Sequence, residues 1–399
     1  MDEMNNKNTD TEAGATRRAA GRRLPLPRVF LIVAAVSLAL SSLFFALSAM
    51  SGQGLYDQRA AELWSGAQKP KPEPTPTPEV TEDPLSAFPE EGLKSSEMGY
   101  SQVSVFFGRG AGLNYIGMMR LRQGLSDKYT ADGISPPDPD ARLWIDAASG
   151  TGSATVTNGT GSSAAVSVTG ILGDFFFFHP TKLLSGQYIN TNEASKDYIM
   201  MDWNTAWRVF GGADSSGMRV EVGGIPCIVA GVFEKDEGDA AENRIYVSFE
   251  LLEKLNPAAE LTALDFVLSA PISGYGIQAV ESQVSSTPES ERVIVENSVR
   301  FTRGNLLKTI GDFGAYIARR DAVALPYWEN AARSAAMRGA VLLLISMIFA
   351  ALPLITVIIL LIKLYMVRGR FRPWIVRTFK AAMERRKTRR LDTAGKNEV

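Results

Sequence analysis

The residues best suited to chemistry in this chain are one histidine and one cysteine. His179 and Cys227 are the only residues of their types among 399. A single cysteine cannot form an internal disulfide, and it excludes CxxC redox or metal chemistry. Cys227 lies within a predicted apolar strand, and we expect it to be a small buried core residue. His179 is flanked by Phe178 and Pro180; since one histidine leaves little for a metal site or a Ser/His/Asp arrangement, we expect it to be packed and hydrogen-bonded.

The sequence lacks the short motifs of common hydrolases. It contains no GxxxxGK[ST] phosphate loop, no HExxH and no GxSxG. The glycine loop at 108–112, GRGAG, follows a predicted strand and precedes a predicted helix, but it lacks the GxGxxG spacing of a dinucleotide loop. The acidic run at 234–243 has no calcium-ligand pattern and is expected to be a solvated loop. We therefore expect no catalytic residues, no metal and no cofactor, and we predict that the chain is not an enzyme.

Two apolar segments stand near the two ends of the sequence. Residues 29–50 and 339–362 contain no charged side chain. At about 1.5 Å per residue, each would span the roughly 30 Å hydrocarbon core of a bilayer as a helix. Both segments are therefore predicted transmembrane helices. The first could instead be a cleaved signal peptide, because 46–48 offers small residues, although its apolar run exceeds the usual length of about 7–15 residues.

Basic residues cluster outside both apolar segments. Residues 1–28 carry a net charge of +2 and residues 363–399 a net charge of +9; since the whole chain carries −1, the residues between them carry −12. The clusters comprise Arg17, Arg18, Arg22, Arg23 and Arg28 before the first segment, and Lys363, Arg368, Arg370 and Arg372 after the second. Because Lys and Arg are enriched on the cytoplasmic side of membranes, both termini are predicted to be cytoplasmic and 51–338 extracytoplasmic.

The remaining domain boundaries follow from composition. Residues 1–28 lack apolar periodicity and are predicted to be a disordered cytoplasmic tail. Residues 68–89 contain seven prolines, which indicates a semi-rigid polyproline II spacer within an extracytoplasmic linker over 51–94. A folded core domain is expected over 95–300. It is followed by a helical stalk over 301–338 and, after the second membrane segment, by the basic cytoplasmic tail over 363–399.

The basic tail contains an amphipathic helical pattern. Ile375, Phe379, Ala382 and Met383 fall on one face, and the opposite face carries Arg377, Lys380, Arg385 and Arg386. A helix of this kind lies in the plane of an anionic membrane surface. We therefore predict that these four basic residues contact membrane lipid.

A short helix with both ends marked is predicted over 203–210. Asp202 stands at the N-cap position, and Gly211-Gly212 provides a C-terminal stop. Trp203, Trp207 and Phe210 fall on one face of this helix. We expect this face to pack into the core, because a helix this short gains most of its stability from packing. The alternative is that the face is exposed and holds a partner or a hydrophobic ligand.

The next segment predicts a β-hairpin. Residues 218–222 alternate between apolar and charged side chains, Gly223-Gly224 forms a two-residue loop, and a mostly apolar strand returns over 225–233. Two-residue loops rich in glycine adopt type I′ or type II′ turns. A second hairpin is expected around Asn158-Gly159.

Two predicted strand-helix-strand units lie in the sequence before and after the short helix and the hairpin at 218–233. The first comprises strands at 101–107 and 142–147 with a helix at 113–129; the second comprises strands at 263–269 and 292–297 with a helix at 274–285. This order predicts a split ferredoxin-like α+β fold, with an insertion over about 170–250.

The ordered elements of the insertion resemble the extracytoplasmic core domain of MacB-type ABC transporter permeases, in the FtsX/MacB superfamily. The resemblance rests on LLSGQY at 183–188, on the helix ending WRVFGG at 207–212, and on GMRVEVGGIPCIVAGV at 217–232. It implies an extracytoplasmic α+β domain, porter-like with an inserted mostly β subdomain, between two transmembrane helices.

The resemblance implies a membrane-anchored ABC transporter permease subunit. MacB-type permeases carry four membrane helices and act with an ATPase, whereas this sequence shows two apolar segments and no phosphate loop. We therefore expect separate ATPase and permease-core chains as partners in transport or mechanotransmission, a homo- or hetero-oligomer, and no nucleic acid partner. Because the proline-rich spacer follows the first membrane helix, we expect force to pass only through the second. The alternative is a tethered extracytoplasmic sensor or scaffold without transport activity.

Overall fold

The computed structural model describes residues 26–67, 99–136, 142–190, 197–236, 238–314 and 323–394. Its helices are α1 (Leu26–Ala49), α2 (Ala60–Ala67), α3 (Tyr115–Ala131), α4 (Phe175–Phe178), α5 (Trp203–Phe210), α6 (Phe249–Leu255), α7 (Tyr275–Gln283), α8 (Arg303–Gly311) and α9 (Tyr327–Ala394). Its strands are β1 (Gly99–Phe107), β2 (Trp144–Asn158), β3 (Ser163–Gly173), β4 (Lys182–Gly186), β5 (Tyr198–Asp202), β6 (Arg219–Val222), β7 (Ile225–Glu234), β8 (Arg244–Ser248), β9 (Ala263–Ala270) and β10 (Arg292–Glu296). The predicted tail up to residue 25 and the proline-rich segment lie outside the described residues.

Four antiparallel strands form the first part of the sheet, in the order β10-β1-β9-β2. The chain passes through α3 between β1 and β2, and through α7 between β9 and β10. Met118 and Leu125 of α3 and Val280 of α7 are fully buried in one core with this sheet. Two β-α-β units in this arrangement form a split ferredoxin-like unit. The predicted α+β fold class is confirmed.

The chain between β2 and β9 adds six strands to the same sheet. β3 pairs antiparallel with β2, β8 runs parallel to β3, and β5, β7 and β4 follow in that order. β6 pairs with both β2 and β7. The inserted strands therefore extend the ferredoxin-like sheet, while the exact insertion range of about 170–250 and the other domain boundaries stay predictions.

The predicted hairpin is formed by β6 and β7. Val222 pairs directly with Ile225, so the loop consists of Gly223 and Gly224. These two residues have φ angles of +56° and +83°. Positive φ at both central positions defines a type I′ turn, which glycine adopts without a steric penalty. One of the two predicted turn types is thereby confirmed.

The sheet has a hydrophobic core on each face. Because successive residues of a strand point to opposite faces, Val105 and Phe106 of β1 belong to different cores. Helices α3, α5, α6 and α7 contribute to the first core. Helices α2 and α4 and the first turn of α9 contribute to the second, where Phe175, Phe178 and Trp328 are buried.

Within the described residues, two helices are long and apolar enough to cross a membrane. The candidate spans are Arg28–Ala49 in α1 and Tyr327–Met366 in α9. Both predicted transmembrane segments therefore lie in helices. The chain divides into two compact units: the segments up to Phe45 and from Ile345 form one, and Ala46–Leu344 forms the other.

In the first of these units, α1 compensates for a proline in α9. Pro353 lies inside α9 and has no N–H, so the carbonyl of Phe349, four residues earlier, loses its helical donor. The Ser37 hydroxyl of α1 donates to this carbonyl oxygen at 2.7 Å. The rings of Phe44 and Phe349 stack beside it, with centroids 5.8 Å apart. A bilayer supplies no water for such a group, so this serine stabilises the proline-containing turn.

Candidate functional site at the base of the last helix

The predicted face of α5 is partly exposed. The helix begins and ends as predicted: Asp202 Oδ1 accepts a hydrogen bond from the Thr205 backbone N–H at 2.8 Å, and Gly211 adopts a φ of +78°. Trp203 and Trp207, however, are 44% and 55% exposed, and their rings stack with centroids 5.6 Å apart. The expectation that these two tryptophans pack into the core was therefore wrong. We call Trp203 and Trp207 the indole pair.

A different face of α5 is buried against the sheet. Thr205, Ala206 and Val209 are the buried residues of this helix. Phe210 is partly buried and packs against the same core, so it does not belong with the indole pair. Small and β-branched side chains allow a short helix to lie close to the strands, and the bulky indoles then occupy the outer side. The indole pair remains a candidate partner face.

The four basic residues predicted to contact lipid lie in the last part of α9. Arg377, Lys380, Arg385 and Arg386 all fall within Tyr327–Ala394. Their side chains lie outside the part of the chain that the structure describes. Their contact with lipid stays a prediction.

The glycine loop before α3 holds a carboxylate of the protein itself. The backbone N–H groups of Gly110 and Gly112 donate to Glu260 Oε2 at 3.0 and 3.3 Å. Backbone amides that converge in this way form an anion-binding nest. Because the Glu260 carboxylate occupies the nest, the glycine loop fixes the position of this side chain.

Cys227 and the acidic side chains are the other residues whose types could bind a metal ion. Among the described residues, no group of three or more His, Cys, Asp or Glu side chains is placed to hold a metal ion. Cys227 is buried on β7, and this burial raises the pKa of its thiol to about 11. A thiol with this pKa is protonated at neutral pH and unreactive. The prediction of a buried core cysteine is confirmed.

His179, which follows α4, lies at the centre of a buried polar network. It is 4% exposed; its Nε2 lies 2.9 Å from Asp265 Oδ2 on β9, and its Nδ1 lies 3.2 Å from Asp57 Oδ1. The ring of Trp328 in α9 lies against it, with centroids 4.4 Å apart. Burial lowers the pKa of His179, but the two carboxylates outweigh this effect and raise the pKa to about 10. The imidazole is therefore positively charged at neutral pH and donates from both nitrogens.

The same network extends into the sheet. Ser104 of β1 donates to Asp265, and Asn297 Nδ2 donates to Ser104 Oγ at 2.7 Å. Gln102 Nε2 donates to the backbone oxygen of Asp57 at 2.5 Å. The prediction of a packed, hydrogen-bonded histidine is confirmed, and its partners connect three separate segments of the chain.

A buried ion cluster holds the first turn of α9. Arg300, which follows β10, places its Nη2 2.8 and 2.7 Å from Oε1 and Oε2 of Glu329, and Arg333 Nε lies 2.9 Å from Oε1. The side chains of Arg300 and Glu329 are 5% and 2% exposed. Two guanidinium groups therefore share one carboxylate. We call the His179 network with Asp57 and Asp265, together with the Arg300–Glu329 pair, the junction.

The junction joins the sheet to the short segment that follows α1 and to the first turn of α9. Asp57 lies in the short segment after α1, and Ala60 of α2 is fully buried in the second core. The chain is therefore held against the sheet before the proline-rich segment begins. Residues on both sides of the domain are thus bound to it, and the expectation that force passes only through the second membrane helix stays a prediction.

Sequence reasoning missed the partners in the junction because they are distant along the chain. His179 is separated from Asp57 by 122 residues and from Asp265 by 86. No local pattern relates these positions. The available signal was Glu329, a charged residue directly after two aromatic residues at the start of a predicted stalk helix.

Comparison with known proteins identifies the family of this chain. Residues 85–287 match the family described as the MacB-like periplasmic core domain, which is half of the chain. The chain belongs to this family. The MacB-like domain, from β1 to α7, therefore contains the indole pair and the ferredoxin-like unit except for its last strand, β10, and candidate membrane helices flank it. The protein is accordingly a member of the ABC-type transporter permease family.

Two of the solved structures that this chain matches come from transporters. The extracellular domain of the noncanonic ABC-type transporter YknZ from Gram-positive bacteria is 16% identical, with a TM-score of 0.35 over 49% of this chain and 99% of that one. The periplasmic region of MacB from Actinobacillus actinomycetemcomitans is 15% identical, with a TM-score of 0.37 over 53% of this chain and 92% of that one. A search of the curated proteins found no match.

Proposed function

We propose that this protein is a membrane-anchored, MacB/FtsX-like permease subunit that acts with separate ATPase and permease-core chains in transmembrane transport or mechanotransmission. The observation that carries the proposal is the junction. Helix α9 starts against one face of the sheet, where Arg300 binds Glu329, and it continues as one helix into a candidate membrane span. A displacement of this helix would move the domain with it.

The physical basis of this coupling is the burial of the charges. Removing one partner of a buried ion pair costs about 3–5 kcal/mol, so the first turn of α9 does not separate easily from the sheet. The bonds from His179 to Asp57 and Asp265 hold the segment after α1 in the same way. The sheet is therefore bound at two points, to the segment after α1 and to the first turn of α9, and each of these is continuous with a candidate membrane span.

The orientation in the proposal follows from charge. Both termini are cytoplasmic and the MacB-like domain is extracytoplasmic. The reason is that one basic cluster precedes the first apolar segment in the sequence and the other follows the second. The basic end of α9 then lies on the side where ATP is available, and the partner chain supplies the phosphate loop that this sequence lacks. In this proposal the chain is not an enzyme and uses no cofactor of its own.

Affinity purification tests the proposal. The tagged full chain is captured from detergent-solubilised membranes, and its partners are identified by mass spectrometry. We expect an ABC ATPase and a permease-core chain, and we expect ATP hydrolysis in the purified complex. Capture of neither chain would favour the alternative of a tethered sensor or scaffold, for which the exposed indole pair is the supporting observation.

A further inference from the structure

The indole pair borders a depression in the surface beside the start of α5. Trp203 and Leu184 of β4, which are 44% and 42% exposed, line a cavity of about 360 Å³. Trp207 stacks on Trp203 and extends this apolar surface along the helix. Glu234 and Lys235 form part of its polar rim. Exposed aromatic rings surrounded by polar side chains are typical of sites that bind protein.

The chain itself contains a segment whose composition fits this surface. Residues 68–89 contain seven prolines, and from Pro70 to Pro78 every second residue is a proline. A polyproline II helix has three residues per turn, so the prolines of this stretch are distributed over all three of its faces. Whichever face meets the indole pair therefore presents a proline ring.

The chemistry of the two partners is complementary. Grooves lined by aromatic residues are the surfaces that bind polyproline II segments, because the helix is formed before binding and loses little entropy. The flat indoles of Trp203 and Trp207 offer packing surfaces for proline rings. The carbonyl groups of a polyproline II helix make no internal hydrogen bonds, so they can accept from the indole N–H groups.

The segment is long enough to reach the indole pair. Residues 68–98 join α2 to β1, and at about 3.3 Å per residue they span up to about 100 Å. Between β1 and β5, the strand that leads into α5, lie five strand spacings of about 4.8 Å, or about 24 Å. The length therefore also allows a path around an edge of the sheet. Segment and indole pair lie between the two candidate spans in the sequence, so they share one side of a membrane that both spans cross.

We propose that the indole pair binds the proline-rich segment of its own chain, at residues 70–78. Such a contact is weak by itself, but the tether gives the segment an effective concentration of about 1 mM. A Kd of about 1 mM for the isolated contact then keeps the segment bound for about half of the time. A partner chain that uses the indole pair has to displace this segment. The inference does not rest on the proposed function, since it holds equally for a sensor or scaffold.

Contact quenching of a fluorophore tests the inference. Thr77→Cys is introduced in the full chain that carries Cys227→Ala and labelled with bimane, whose emission an indole quenches on contact; the chain is reconstituted in phosphatidylcholine nanodiscs. Replacing both indoles, by Trp203→Leu and Trp207→Leu, should raise the emission about twofold, because about half of the labelled segments are bound. Unchanged emission would overturn the inference.

The matched control places the same label elsewhere in the segment. Ser95→Cys lies four residues before β1 and therefore stays close to the first part of the sheet. Its emission should not respond to the loss of the two indoles. An equal rise at both labelled positions would overturn the inference, because the quenching would then not depend on the prolines at 70–78.

Two further measurements separate this contact from other causes. Four substitutions remove the preformed helix but keep the length of the segment: Pro72→Ala, Pro74→Ala, Pro76→Ala and Pro78→Ala. They should raise the emission of the Thr77→Cys label as much as the loss of both indoles does, and quenching that survives them would overturn the recognition of polyproline II. Unlabelled parent chain is also added to the labelled chain without indoles. The emission should stay constant, and a fall would overturn the inference by assigning the surface to the segment of a second copy.

Discussion

The Nη2 atom of Arg300 lies 2.7 and 2.8 Å from the two carboxylate oxygens of Glu329, and both side chains are almost completely buried. Glu329→Gln would keep the shape of the side chain but remove the charge that Arg300 and Arg333 share. We expect the free energy of unfolding to fall by about 3–5 kcal/mol, because the buried guanidinium group of Arg300 loses its counter-charge. Thermal unfolding of the purified full chain measures this loss.

The matched control for this variant is an exposed ion pair. Arg208 and Glu242 form a salt bridge in which the side chains are 52% and 72% exposed. Glu242→Gln makes the same chemical change there, and we expect it to alter the free energy of unfolding by about 0–1 kcal/mol. If the two variants lost the same stability, the ion cluster would not be holding α9.

A second prediction concerns the pH dependence of stability. The pKa of His179 is raised to about 10 by Asp265 and Asp57 despite its burial, whereas a histidine in the unfolded chain titrates near 6.5. The folded state therefore binds more protons than the unfolded state between these two values. The stabilisation is fully present below pH 6.5 and is lost as the pH rises toward 10.

His179→Gln isolates this contribution, since glutamine keeps a polar side chain but does not titrate. Melting temperatures of the parent and the variant are compared at intervals from pH 6 to pH 10. We expect the difference between them to shrink as the pH rises. A difference that stays constant over this range would show that the imidazole charge does not stabilise the fold.

The elements that could be predicted from the sequence are those with local causes. Asp202 and Gly211 mark the ends of α5 by their own backbone preferences, and Gly223-Gly224 determines its turn in the same way. The buried face of α5 depends instead on which side chains fit against the sheet, and this brought Val209 inward and Trp207 outward. The junction depends on contacts across the whole chain, for which one sequence contains no pattern.

A third prediction tests the contact between α1 and the proline-containing turn of α9. Ser37→Ala would remove the donor to the Phe349 carbonyl oxygen, whose helical partner Pro353 cannot provide. We expect a loss of about 0.5–2 kcal/mol, the range of hydrogen bonds between membrane helices. The control is Ser42→Ala, because the Ser42 hydroxyl donates to the Leu38 carbonyl oxygen within its own helix. Unfolding by sodium dodecyl sulfate in mixed micelles compares the two, and equal losses would contradict the assignment.

A fourth prediction concerns the orientation of the chain. Ser95→Cys and Thr388→Cys are introduced singly in a chain that carries Cys227→Ala. A membrane-impermeant maleimide added to intact cells should label the first position only, because the basic clusters place both termini in the cytoplasm. Labelling of Thr388→Cys would reverse the orientation. A mature protein whose sequence begins near Ala49 would show that α1 is a cleaved signal peptide.

The last prediction decides between the structural and the partner-binding role of the indole pair. Trp207 is more than half exposed and stacks on Trp203, so Trp207→Ala should change the free energy of unfolding by no more than about 0.5 kcal/mol, as at other surface positions. Phe178→Ala is the control, since this ring is fully buried and its removal should cost about 3–5 kcal/mol. If the indole pair is a partner face, Trp207→Ala should also reduce the amount of partner chain recovered by affinity purification. A marked fall in the melting temperature of Trp207→Ala would show that both indoles pack into the core. An unchanged melting temperature together with unchanged recovery of the partner chain would show that they have no role in binding that chain.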